Sequence, residues 1–234
     1  MKAVILQPSY IPWRGFFDLI HQADVFVFYD DVQFDRRGWR NRNKVKAAEP
    51  GGQWLTIPVL AKGHQIDGTA INEIAISWDR DWAHKHWSTI KHVYGKAPHF
   101  KRYAPLVESF YMRHDERLAS FTIETTIALA RELGIEHTRF LRSSELGVDG
   151  TKTDRLLAVL AKIEATHYIS GPSARDYIEP EKFAQAGIGL GYAVYEYREY
   201  PQLHGSFDAN LSILDLLFMT GPDAGSHIWG AARS

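Results

Sequence analysis

The stretch AVILQPSYIPWRGFFDLIHQADVFVFYDD, residues 3–31, holds an apolar run, an amphipathic segment and a second apolar run. AVIL reads as a buried strand, RGFFDLIHQA as a helix with one apolar face, and DVFVFYD as a second strand rich in Phe and Val. A strand, a helix and a strand in that order form a βαβ unit, so the two strands are expected to be parallel neighbours. Between strand and helix lies QPSYIPWRG, with two prolines, a Tyr, a Trp and a Gly where a short turn would serve.

Residues 32–59 change character, with period-two patches, a dense run of Arg, Asn and Lys, and a Pro-Gly-Gly turn. That pattern predicts a β-hairpin turning between Glu49 and Gln53, with NEIAIS as a further strand. Apolar spacing of three and four residues predicts helices across residues 79–134, capped at Gly95 and Gly134. The last third alternates again: HTRFLRSSEL, THYIS and GIGLGYAVYEY read as strands, TKTDRLLAVLAKIEA and SILDLLFMTG as helices. The whole of residues 1–234 is therefore expected to be one α/β domain. Its sheet is mainly parallel and Rossmann-like, with a hairpin excursion and a helical insertion at about 79–134.

The 234 residues carry 27 basic and 28 acidic side chains, a net charge of −1, so no global field favours nucleic acid, and an anionic ligand needs a local cluster. There are no cysteines, which excludes disulfides, thiolate-bound metals and a Cys nucleophile. The opening MKAVILQPSY is too short in apolar residues for a signal-peptide core, and no run approaches a membrane span. The expectation is a cytoplasmic protein with a small-molecule substrate, no nucleic-acid partner and no membrane insertion. Oligomeric state is left open.

Open α/β sheets bind ligands beyond the carboxyl ends of their strands. QPSYIPWRG lies there, and Gln7, Ser9, Tyr10, Trp13 and Gly15 suit a ligand wall. The prolines pre-order the loop, Gly15 admits close approach, and the aromatic faces offer stacking. The alternative is that Tyr10 and Trp13 only plug the end of the sheet. Asp30 and Asp31 end the second strand and are the candidate catalytic carboxylates, able to accept a proton from a substrate amine. In an extended segment Arg40, Arg42 and Lys44 would share one side, opposite Trp39, Asn41 and Asn43, as a comb for phosphates or as charged protection of an edge strand. The loop SGPSAR adds Ser170, Gly171, Ser173 and Arg175 at another strand end. Near the last helix Asp208, Ser212 and Asp215 cluster, with Asn210 expected as its cap. Of the 11 histidines, His84 and His86 are two apart on a predicted helix and cannot chelate together, His21 and His64 have no partner in sequence, and no metal is predicted.

Taken together, QPSYIPWRGFFDLI, ADVFVFYDDVQFDRRGWRNRNKV, WLTIPV, YGKAPHF, YISGPSARDYI and LSILDLLF resemble the WbqC-like family of bacterial proteins over residues 3–223. The resemblance implies a role in O-antigen or other surface-polysaccharide biosynthesis. The reaction suggested is acyl or aminoacyl transfer to a nucleotide-linked amino sugar, from an acyl or aminoacyl donor whose identity stays open. A second likeness is to nucleotidyltransferases of the HIGH-motif superfamily: Gly15, Ser170 and Arg175 are kept, but Trp13 and Phe16 stand where that superfamily has histidines. The architecture is implied, while the imidazoles that stabilise phosphate there are missing. The alternatives to a transferase are a nucleotidyltransferase-like enzyme and a non-catalytic protein that binds sugar nucleotides.

Overall fold

A computed structural model of the protein describes residues 1–47, 51–60 and 68–229. Strand β1 (Lys2–Leu6), helix α1 (Arg14–Gln22) and strand β2 (Val25–Phe28) form the expected unit, with β1 and β2 parallel from Ala3 opposite Val25 to Leu6 opposite Phe28. Both faces of these strands are buried, as in a parallel sheet covered on each side. Val4, Phe26 and Phe28 point to one core and Ala3, Ile5, Val25 and Val27 to the other. Phe26 and Phe28 are wholly buried, and each contributes about 1.5–3 kcal/mol of transfer free energy.

The chain then leaves the sheet. β3 (Arg42–Val45) and β4 (Gln53–Thr56) form a separate antiparallel hairpin, in which Arg42 faces Thr56 and Lys44 faces Trp54. Of its expected turn, Glu49 and Pro50 lie outside the described residues. NEIAIS does not make a strand. It forms a 3-10 turn at Ile71–Glu73 and two isolated bridges, Ala75 with Arg117 and Ile76 with Val59. Helices α2 (Trp82–Tyr94), α3 (Phe100–Tyr111) and α4 (Leu118–Glu132) follow, and Gly134, with φ of 78°, ends the last in the left-handed conformation that favours glycine.

β5 (Arg139–Arg142), α5 (Lys152–Lys162), β6 (His167–Ser170), α6 (Pro180–Gln185) and β7 (Gly189–Tyr192) return to the sheet. Its order is β5-β2-β1-β6-β7 and every pair is parallel. Helices α1 to α4 and α7 (Ile213–Thr220) cover one face; α5 and α6 cover the other. Residues 193–211 form no helix or strand and run as a strap from β7 back to α7. The α/β class, the parallel Rossmann-like sheet and the hairpin excursion are as the sequence predicts. Among the described residues, no helix is long and apolar enough to cross a membrane.

Candidate functional site

The first strand of this sheet has the second on one side and a later strand, β6, on the other. The chain therefore reverses its direction of growth between β1 and β6, where open sheets form a ligand crevice. The pairing shows how the crevice opens. β1 and β2 stay together as far as Leu6, but β1 and β6 pair only at Lys2–His167 and Ala3–Tyr168, while β6 continues beside β7 to Ser170. Beyond Ala3 the two strands part, and a cleft of about 790 Å³ lies between their carboxyl ends.

One wall is the loop after β1. Its backbone is strained at Ile11, a β-branched residue with φ of 35°, between Pro8 and Pro12. Asn43 holds this turn from β3, donating from Nδ2 to the carbonyls of Ile11 (2.7 Å) and Tyr10 (3.0 Å). The Tyr10 amide donates to the carbonyl of Trp39 (3.1 Å). Arg40 donates from Nη1 to the carbonyl of Gln7 (3.0 Å), the carbonyl of Pro8 (3.3 Å) and Ser9 Oγ (2.9 Å). Burial lowers the Arg40 pKa to about 10, which leaves the guanidinium charged at neutral pH, and its Nε has no hydrogen-bond partner. Trp13 lines the same wall, packed edge-on against Tyr195 and Tyr197. A side chain at position 15 would put its Cβ 2.4 Å from the Trp13 ring, so only glycine lets the indole lie back over the start of α1.

The facing wall comes from the end of β6 and the start of α5. Ser170, Gly171 and Ser173 line it, with Tyr168, whose hydroxyl is 3.3 Å from Ser170 Oγ. Burial raises the pKa of the Tyr168, Tyr29 and Tyr177 phenols, so all three are neutral hydrogen-bond donors at physiological pH. Lys152 opens α5 with φ of 49° and reaches the cleft at the helix N-terminus, where the backbone also favours an anion. The strap contributes Tyr195 and Asn210. Among the described residues that line the cleft, the charged side chains are Arg40 and Lys152, and there is no carboxylate or histidine.

Several residues singled out in the sequence stand elsewhere. Tyr10 points into the core, fully buried, with its hydroxyl 2.6 Å from that of Tyr111 and 2.9 Å from His86 Nδ1. Burial drops the His86 pKa to about 4, so its imidazole is neutral at physiological pH. His84 is exposed on the opposite side of α2, as the two-residue spacing requires, and His64 lies outside the described residues. Asp30 is buried away from the cleft: its carboxylate accepts from the Ser144 amide (3.0 Å), Ser144 Oγ (2.9 Å) and Ser143 Oγ (3.2 Å), and so caps the turn after β5. Asp31 is bound by Ser143 Oγ and Arg155, each at 2.5 Å. Neither carboxylate faces the cleft.

The arginine comb divides because the strand begins only at Arg42, so alternation does not reach back to Arg40. Trp39 and Arg40 both line the cleft, whereas Arg42 and Lys44 lie over the ring of Trp54, 4.6 Å and 5.8 Å from its centre. Arg175 stacks on Tyr192 at 4.7 Å. Asn210 reaches the cleft instead of capping α7, where Ser212 occupies the cap position. Lys152, Tyr168 and Tyr195 are among the cleft residues that sequence reasoning passed over, and Asn43 was named only as the far side of the comb. A polar Asn on the inward face of β3 was the one local signal.

The sequence model of the WbqC-like protein family matches residues 7–227. The chain is also 39% identical over 237 residues to the uncharacterized protein Rv1507c of Mycobacterium tuberculosis, covering 97% of each. No solved structure matches it.

Proposed function

The chain belongs to the WbqC-like protein family, and from that premise and the chemistry of the cleft we propose that it binds a nucleotide-linked amino sugar. In this reading it transfers an acyl or aminoacyl group to the sugar's amine, in the cytoplasm, as a step of surface-polysaccharide biosynthesis. The observation that carries the reading is the charge of the cleft: Arg40 and Lys152 face an aromatic and hydroxyl-lined space with no carboxylate among its described residues. Two cations at the mouth suit a diphosphate, and the low dielectric around Arg40 strengthens the attraction. Ser170 and Ser173 can hydrogen-bond a sugar.

Amide formation joins the amine nitrogen to the acyl carbon and expels the thiol or phosphate that carried the acyl group. Oxygen charge builds on the carbonyl as the amine attacks, and the neutral donors Tyr168 and Ser170 are suited to receive it. Asp30 and Asp31 have no part in this step because their oxygens are occupied away from the cleft. The amine enters as the free base, and its surplus proton leaves with the departing group. The same lack of a carboxylate or histidine favours a second reading, a sugar-nucleotide binding protein without chemistry. Trp13 and Phe16, both in the cleft wall, stand where the HIGH-motif superfamily has histidines, so an adenylyl transferase would lack those imidazoles here.

Incubation of the protein with UDP- or dTDP-linked amino sugars and acyl thioesters or acyl phosphates, followed by mass spectrometry, decides between the two. An N-acylated sugar nucleotide supports transfer; tight binding without product supports the binding protein. Binding of ATP with none of any sugar nucleotide overturns both.

A further inference from the structure

At the mouth of the cleft, the outer face of the β3–β4 hairpin carries two tryptophans that burial does not explain. Trp39 and Trp54 are 43% and 45% exposed, yet they stack with ring centres 5.2 Å apart and planes 30° apart. Both are fixed from behind. The guanidinium of Arg42 lies over Trp54 at 4.6 Å and donates to the carbonyls of Arg37 (2.5 Å) and Gly38 (3.4 Å), so it shapes the loop that presents Trp39. The Trp39 carbonyl accepts from the Tyr10 amide, and the next residue, Arg40, is tied to the carbonyls of Gln7 and Pro8. Trp39 belongs at once to this face and to the cleft wall. The platform is therefore exposed, flanked by Arg42 and by Lys44, whose ammonium lies 3.9 Å from the Asp208 carboxylate, and continuous with the charged part of the cleft.

Resting on the sugar-nucleotide reading above, we propose that the Trp39–Trp54 face is the base subsite. The flat base of a nucleoside diphosphate continues the stack on the outward face of Trp39, which Trp54 backs, its phosphates turn inward over Arg40, and the linked sugar is the buried end of the ligand, against Ser170 and Tyr168. Aromatic platforms interleaved with cations suit bases because every base offers a π-face and carries phosphate beside it. This orientation puts the reacting amine of the sugar deep in the cleft and the base in contact with solvent.

Calorimetric titration of the full chain with UDP and with inorganic pyrophosphate tests the orientation. Trp39→Ala should weaken UDP by about fivefold to a hundredfold, the usual effect of losing one stacking partner. Trp54→Ala, which removes the ring behind it, should weaken UDP by less, and both should leave pyrophosphate unchanged. Trp54→Phe should keep most of the UDP affinity, and thermal melts establish that each variant is folded. UDP binding to both Ala variants as tightly as to the wild type would overturn the base subsite while leaving the cleft reading intact. Parallel loss of UDP and pyrophosphate would also overturn it, since the tryptophans would then serve only to hold the loop. A wild-type dimer that the Ala variants break would put a second copy on this face instead. Wild-type protein that binds neither ligand would overturn the cleft reading itself, and this proposal with it.

Discussion

Substituting Asp215 with Asn should raise stability at neutral pH and remove part of its pH dependence. Asp215 lies on α7 with no solvent exposure; one carboxylate oxygen accepts from the Tyr200 hydroxyl at 2.8 Å, and the Tyr94 hydroxyl lies close to the carboxylate. Burial pushes its pKa up to about 6 from the usual 3.8, and the hydrogen bonds of Tyr200 and Tyr94, the Lys46 charge and Gln202 offset only part of that. Between pH 3.8 and about 6 the folded protein therefore holds a proton that the unfolded chain has already lost. The stabilisation from this proton is fully present below pH 3.8 and is lost as pH rises through about 6. The gap between 3.8 and about 6 corresponds to roughly 3 kcal/mol, at 1.36 kcal/mol for each pH unit. Asn keeps an acceptor for Tyr200 and carries no charge. Urea unfolding at intervals from pH 4 to pH 8 should show wild type and Asp215→Asn nearly equal at the acid end, with the variant ahead by about 2–3 kcal/mol at pH 7. The same gap at every pH would refute the reasoning. The result bears on function because Tyr200 and Gln202 tie the strap to α7 through this carboxylate, and the strap carries Tyr195 and Asn210 to the cleft.

Two further substitutions separate framework from site. Asp30→Ala leaves the Ser144 amide and the Ser144 hydroxyl without their buried acceptor and should cost about 2–4 kcal/mol in urea unfolding. Asp30→Asn should cost less and leave sugar-nucleotide affinity unchanged; a large loss of affinity in the folded Asn protein would return Asp30 to the site. Lys152→Gly relieves a left-handed backbone and should stabilise the chain by about 0.5–1 kcal/mol. The same change removes a cation from the cleft and should weaken diphosphate binding several-fold, so stability and affinity move in opposite directions.

The βαβ unit was legible because its signals are local: an apolar run, an amphipathic helix and a second apolar run within 29 residues. The cleft was half legible for the same reason, since QPSYIPWRG and SGPSAR announce strand ends. Side-chain direction was not. A Tyr between two prolines suits a ligand wall and a core equally, and Tyr10 is drawn inward by Tyr111, 101 residues away. Asp30 ends a strand where ligands bind, but Ser143 and Ser144 arrive 113 and 114 residues later to occupy it. Lys152 opens α5, Tyr195 and Asn210 lie on the strap that follows β7, and no local pattern ties them to the first loop. The arginine comb failed on a boundary of two residues, because strand alternation starts at Arg42 and not at Arg40.

The central claim, that the switch-point cleft holds an anionic nucleotide-linked sugar through Arg40 and Lys152, is tested most directly by one calorimetric comparison. A UDP-linked amino sugar is titrated into the wild type and into the folded double variant Arg40→Gln, Lys152→Gln. The account predicts saturable binding to the wild type and a loss of at least about tenfold in the double variant, since each charged hydrogen bond contributes roughly 1.5–3 kcal/mol. Equal affinity in the two proteins would contradict it.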